Sequence, residues 1–290
     1  MGTLSDKFHE TLCGHEDDPK VQKRVAQLIL SAPVTPESNG LMALMYHEGI
    51  GVPVNLDKSC ELAEKAAFDG NDGLGYFLLG YMCDNAETLT YSKDGLSSKY
   101  DYNDAIGFYT KCSEIKSRWQ SHAHLWLGDY FMDSTRGDDP DTAVRHYETI
   151  ADNNSEAAAK LSDYYWELRT FNAVVPDEFK DDNLDAKIYK WTLKAVTSNP
   201  HDYSYRMGWI HADGIGCNPS FRLARKYWED AYEFGDWRAA DGIASLFEEK
   251  LESLPDTKGN ESERNYCIKS ISSWRALAVK TREREEKRIK

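Results

Sequence analysis

A degenerate repeat constrains this chain more than any other feature. The stretch Tyr46-x-x-Gly49-x-Gly51-Val52, followed by Lys65-Ala66-Ala67-x-x-Gly70, returns in part five more times. Its fullest second copy is Met207-Gly208-x-x-His211-x-x-Gly214-x-Gly216, with Ala231 and Gly235 behind it. Aligned on the aromatic position of the first half, or its equivalent, the copies are anchored at Tyr46, Cys83, Phe131, Tyr165, His211 and Phe247. The successive separations are 37, 48, 34, 46 and 36 residues. A period in this range belongs to stacked helical hairpins, where each unit packs only on its neighbours. The expected fold is an all-α solenoid of about six hairpins.

The first copy shows the local grammar. Leu41, Leu44 and Met45 form an apolar stripe at helical spacing. Gly49 and Gly51 stop that helix, because glycine accepts the left-handed conformation a helix end needs, and Pro53 follows where no helix continues. Asn55 is placed to cap a second helix with Cys60, Leu62, Ala63, Ala66 and Ala67 inward, ending at Gly70. The alanines let two backbones approach closely. Later copies keep halves of the pattern: Leu79-Gly80 with Phe108-Tyr109, Leu127-Gly128 with Tyr147, Leu161-Ser162 with Trp191, Met207-Gly208 with Trp228, and Ile243-Ala244 with Tyr266, Ile268 and Ile271. The even-numbered units carry polar insertions at about 85–101, 169–183 and 250–263.

Three segments follow. Residues 1–35 read as an N-terminal cap of one or two short helices, with Asp17 or Asp18 before Pro19 as a helix start. Residues 36–272 are the repeat array. Residues 273–290 read as a charged capping helix, carrying seven basic and three acidic residues from Arg275 onward. That tail is a solvated cap or a basic contact for an acidic partner or the protein's own acidic body.

The net charge of −14 opposes general nucleic-acid binding and docking on anionic membranes. No run approaches the length of a membrane span, and the N-terminus has no secretory pattern. The six cysteines, Cys13, Cys60, Cys83, Cys112, Cys217 and Cys267, show no CxxC spacing and read as reduced thiols in a cytoplasmic protein. No metal site or cofactor is expected. His122 and His124 point apart on a helix, His9-Glu10 lacks a second histidine four residues on, and the glycine pairs recur at a turn position rather than in a phosphate loop. No catalytic residue is assigned.

Ala43-Leu44-Met45-Tyr46-His47-Glu48-Gly49-Ile50-Gly51-Val52, with Lys65 to Gly70 behind it, resembles a Sel1-like repeat, a relative of the tetratricopeptide repeats. The resemblance covers roughly residues 36–272 and is fullest in units one and five. It implies a right-handed α/α superhelix whose first helices line the concave face, and a non-catalytic adaptor or scaffold. An enzyme or enzyme regulator on a helical-repeat array is the alternative.

With the repeat glycines, alanines and Tyr46 assigned to structure, functional information must sit in the free first-helix positions. The expected partner-binding residues are His47, Phe77, Tyr81, Asp84, His122, Asp129, Asp133, Asp163, Trp166, Tyr205, Trp209 and Asp213, with Asp241, Ser245 and Glu248 in unit six. That set joins aromatics to carboxylates and contains no Lys or Arg. It suits a basic or amphipathic segment of another protein. The oligomeric state stays open.

Overall fold

The computed structural model describes residues 3–87, 89–92, 95–98, 100–172 and 183–289. The chain folds as two compact units, Met1–Ile150 and Ala151–Lys290.

In the first unit, α1 (Leu4–Leu12) and α2 (Pro19–Leu30) form a hairpin ahead of the repeats. Asp18 caps α2 with Pro19 in its first turn, as the sequence suggests. Then come α3 (Pro36–Glu48) with α4 (Leu56–Glu64), α5 (Gly73–Asp84) with α6 (Tyr102–Glu114), and α7 (Gln120–Met132) with α8 (Pro140–Ile150). The second unit holds α9 (Ser155–Asn172) with α10 (Leu184–Ser198), α11 (Pro200–Asp213) with α12 (Phe221–Glu233), and α13 (Trp237–Ser253) with α14 (Glu261–Ile289). The six helix pairs are those the repeat spacing predicts.

The glycine pair has a double cause. Gly49 and Gly214 close α3 and α11 in the left-handed conformation, at φ 75° and 72°. Gly51 and Gly216 also have positive φ, and a Cβ on them would collide with the backbone carbonyls of Gln22 in α2 and Asp185 in α10. Helix α2 thus stands toward the first repeat as α10 stands toward the fifth, so the N-terminal hairpin serves as a preceding repeat. The Leu-Gly half of the motif has a packing cause: a Cβ at Gly128 or Gly208 would overlap the ring of Tyr147 or Trp228 on the paired helix. Tyr109, Tyr147 and Trp228 are accordingly buried to within 2 % of complete.

Two departures refine the sequence reading. The insertion in unit two contains a small antiparallel hairpin, β1 (Leu89–Ser92) with β2 (Gly95–Ser98), in an otherwise helical chain. Of the insertion at about 169–183, residues 173–182 lie outside the described residues; the one near 250–263 lengthens α13 and forms a 3-10 turn at Lys258–Asn260. Unit one is also one residue longer than unit five: Gly51 to the next helix cap, Asp72, is 21 residues, against 20 from Gly216 to Asp236. The extra residue is taken up as a π-helical turn, Lys65–Asp69, at the end of α4.

Helix α14 runs without a break through residue 273. Of the expected Tyr266, Ile268 and Ile271, the last packs inward with Cys267, Trp274 and Ala278 at helical spacing, whereas Tyr266 and Ile268 are 51 % and 48 % exposed. Trp274 meets Tyr232 edge-on, and the Thr281 hydroxyl bonds that of Tyr232, so the charged segment lies along the end of its own unit. Among the described residues no disulfide joins the six cysteines, and Cys83, Cys112 and Cys267 are buried.

Candidate functional site

The first-helix positions chosen from the sequence are occupied in a more self-contained way than an open acidic groove would be. In the first unit His47 is clamped, its Nδ1 2.6 Å from Glu48 Oε1 and its Nε2 2.7 Å from Glu87 Oε2. Burial works against a charge on this imidazole, but the hydrogen bonds and charges of Glu87 and Glu48 outweigh it and raise its pKa. Tyr81, 39 % exposed, meets the same ring edge-on at 5.3 Å. Phe77 stacks on Trp119 at 4.8 Å and touches the exposed His122.

The carboxylates of this unit are engaged locally. Asp84 accepts from the indole N–H of Trp126 at 3.0 Å, and Asp129 accepts from the Tyr147 hydroxyl at 2.6 Å. Asp133 ends α7, where hydrogen bonds from Thr135 lower its pKa and Arg136 lies 3.4 Å away. Trp126 is absent from the sequence-derived set although it belongs to this face. It stacks on Tyr109 at 4.2 Å and on Tyr130 at 5.5 Å. Its position four residues after His122 and three before Asp129 was the signal that could have found it.

A second pair lies between α7 and α8. His124 does not team with His122, in keeping with the two-residue spacing; its Nδ1 lies 2.9 Å from Nδ1 of His146. Burial lowers both pKa values, that of His146 to about 4, where the nearby His124 and Arg145 add to the effect. His146 also stacks flat against Phe131.

The second unit overturns one expectation directly: arginine is present on this face. Arg206 of α11 pairs with Asp163 Oδ1 at 2.8 Å, donates to the buried Ser162 hydroxyl at 2.7 Å, and lies 5.2 Å from the centre of the Trp166 ring. Arg275 of α14 reaches Asp241 at 2.7 Å and Glu248 at 3.0 Å, with Ser245 beside it. Asp163, Trp166, Asp241 and Glu248 therefore already hold internal cations. Arg206 precedes Trp209 by three residues, so helical spacing places it on that face. Arg275 comes from the charged C-terminal segment, and of the alternatives the sequence leaves for it these ion pairs match contact with the protein's own acidic body. What stays open is a pair on α11, Trp209 at 36 % exposed and the exposed Asp213, while Tyr205, edge-on to Trp209 at 6.4 Å, has the Arg238 guanidinium 4.6 Å from its ring centre.

Among the described residues no group of three or more His, Cys, Asp or Glu side chains is arranged to hold a metal ion. No described helix is long and apolar enough to cross a membrane. The groups on this face interact through cation–π stacking and charge-assisted hydrogen bonds.

Comparison with known proteins agrees with the architecture. The family model described as Sel1 repeat matches residues 36–71, 121–155 and 202–236. These are the hairpins α3–α4, α7–α8 and α11–α12, so unit three matches although it lacks the Gly-x-Gly turn. A Sel1 repeat protein from Oxalobacter formigenes is similar in fold, with a TM-score of 0.53 at 15 % identity over 96 % of this chain and 97 % of that one. So is c5321, a protective antigen present in uropathogenic Escherichia coli strains displaying an SLR fold, with a TM-score of 0.53 at 17 % identity, covering 97 % of this chain and 61 % of that chain. At such identities the likeness is one of fold. No curated protein matches.

Proposed function

Because the chain is a Sel1-like repeat protein, we propose that it is a protein-interaction scaffold that binds a basic or amphipathic segment of a partner on its first-helix face. One observation carries the charge preference. The protein's own Arg206 sits between Asp163 and Trp166, which supports a face whose spacing of carboxylate and aromatic ring accommodates a guanidinium. The open positions Trp209 and Asp213 offer the same residue types one repeat further on. Trp209 is the anchor, since an exposed indole backed by Trp228 at 5.4 Å provides a large rigid contact at small entropic cost. Carboxylates around it steer a basic segment and make the association weaken with salt.

The reading is tested by fluorescence-anisotropy titration of labelled basic amphipathic peptides against acidic peptides of equal length. The basic set binds, loses affinity with added salt, and loses about tenfold on Trp209→Ala, the size expected of a central aromatic anchor. Equal binding of both sets, or unchanged affinity in Trp209→Ala, would remove this face from consideration.

A further inference from the structure

The same corner of the repeat is hollow in both units. In the first, a cavity of about 440 Å³ lies over the N-terminal ends of α3 and α5, faced by Glu37 and the cap residue Asp72 and walled by Lys116 and Arg118. In the second, a cavity of about 480 Å³ lies over the N-terminal ends of α11 and α13, faced by Asp202 and the cap residue Asp236. Glu37 and Asp202 hold one repeat position, each 12 residues before the first turn glycine, and Asp72 and Asp236 each cap the following first helix. The hollow therefore belongs to the repeat, and only its remaining walls distinguish the two copies.

In the second unit those walls are Phe234, Trp237, His201, Arg238 and Glu285. Three carboxylates thus face one guanidinium, and that guanidinium is committed. Arg238 bonds Asp236 through Nε at 2.9 Å and Nη2 at 2.8 Å, and lies 4.6 Å from the Tyr205 ring centre. Asp202 accepts from His201 and Asn199, which keep it ionised. Glu285 forms no ion pair among the described residues. Phe234 is 46 % exposed; the His201 ring lies tilted against it at 5.8 Å, and among the described residues no Lys or Arg stands over it.

This unit repeatedly sets a guanidinium over an aromatic ring beside a carboxylate. Arg206 does so with Trp166 and Asp163, Arg238 with Tyr205 and Asp236, and Arg282 with Trp237 and Glu286. Phe234 and Glu285 are a ring and a carboxylate lining one cavity, and although the Glu285 charge reaches Arg238, among the described residues no arginine stacks on Phe234 and pairs with Glu285. We propose that this cavity binds an arginine side chain of the partner protein, with its guanidinium stacked on Phe234 and paired with Glu285. The proposal rests on the reading that the partner is basic, and it adds an anchoring point at the repeat edge, separate from Trp209. Arginine suits the site better than lysine, because its planar group can stack and pair at the same time.

The test uses the full chain and N-acetyl-L-arginine N-methylamide as probe, with the neutral citrulline analogue as control, followed through the indole N–H resonance of Trp237. The arginine probe should shift that resonance saturably while citrulline does not. Phe234→Ala and Glu285→Gln should each weaken binding about fivefold, the loss expected for one cation–π or charged contact at a partly exposed site. Both side chains lie at the surface, and an unchanged melting temperature will confirm that the variants fold. An unsaturable shift, an equal response to citrulline, or unchanged binding in both variants overturns the proposal. Trp209→Ala separates the two sites: it should leave the probe's affinity at Trp237 unchanged. Basic peptides that depend on Trp209 while the probe ignores Phe234 and Glu285 would sink the cavity and leave the first-helix face standing.

Discussion

His124 and His146 share one hydrogen bond between their Nδ1 atoms, so one ring donates and the other accepts, and the two rings cannot both be charged. Burial holds both folded-state pKa values below the ordinary 6.5, that of His146 at about 4. In the unfolded chain both rings take up protons near pH 6.5, so between about 6.5 and 4 the unfolded state binds more protons and stability falls as the pH drops. For half-buried rings the loss should be about 2 kcal/mol after allowance for solvent screening. Thermal unfolding across pH 4–7.5 should show this slope in the parent and a flatter one in His146→Asn.

His47 should respond with the opposite sign. Its pKa is raised by Glu87 and Glu48 against the resistance of burial. The stabilisation is therefore complete below pH 6.5 and is lost as the pH rises through the raised value. His47→Gln should destabilise the protein by about 1 kcal/mol at pH 6 and by much less at pH 8.5. An NMR titration of the His47 ring, expected above 6.5, checks the premise directly.

Glycine substitutions should separate by place. Gly51→Ala and Gly216→Ala meet both a positive φ and a backbone carbonyl, and should each cost about 2–4 kcal/mol. Gly107→Ala, on the exposed side of α6 with open space around it, should instead stabilise by about 0.5–1 kcal/mol. Chemical denaturation resolves both signs, and a harmless Gly216→Ala would contradict the close approach to Asp185.

Removing Arg206 should empty a site rather than merely weaken the fold. Arg206→Ala removes the cation from Trp166 and from Asp163, which keeps only its bond from the Tyr203 hydroxyl. Basic peptides should then bind about threefold more tightly, within the range of one exposed cation–π contact. The variant should melt slightly lower, because the Ser162 hydroxyl loses a donor. A fall in affinity would instead show that Arg206 itself contributes to the bound surface.

The helical pairing was legible because periodicity, caps and turn glycines are local and repeat: Asn55 and Asp18 cap the helices they precede, as their chemistry requires. The site was legible only as a face. Tyr81, Trp209 and Asp213 are accessible there, but the state of several carboxylates depends on arginines outside the expected set. Arg206 was on the right face and uncounted, while Arg275 reaches Asp241 across 34 residues of sequence. The inner face of α14 was legible only at Ile271, since a long helix touching the unit along one narrow line tolerates apolar side chains such as Ile268 on its outer side.

The π-helical turn at Lys65–Asp69 has a consequence for how such a chain changes length. Had α4 stayed α-helical, one added residue would have swung everything after it by about 100° around the axis. Contained within a single wide turn, the addition leaves Ala66 and Ala67 buried and delivers Asp72 to its cap position. Repeat length and repeat geometry are thereby uncoupled. A helix can gain a residue without sending a rotational error into the next hairpin, and copies of 35 and 36 residues match the same family model in one chain.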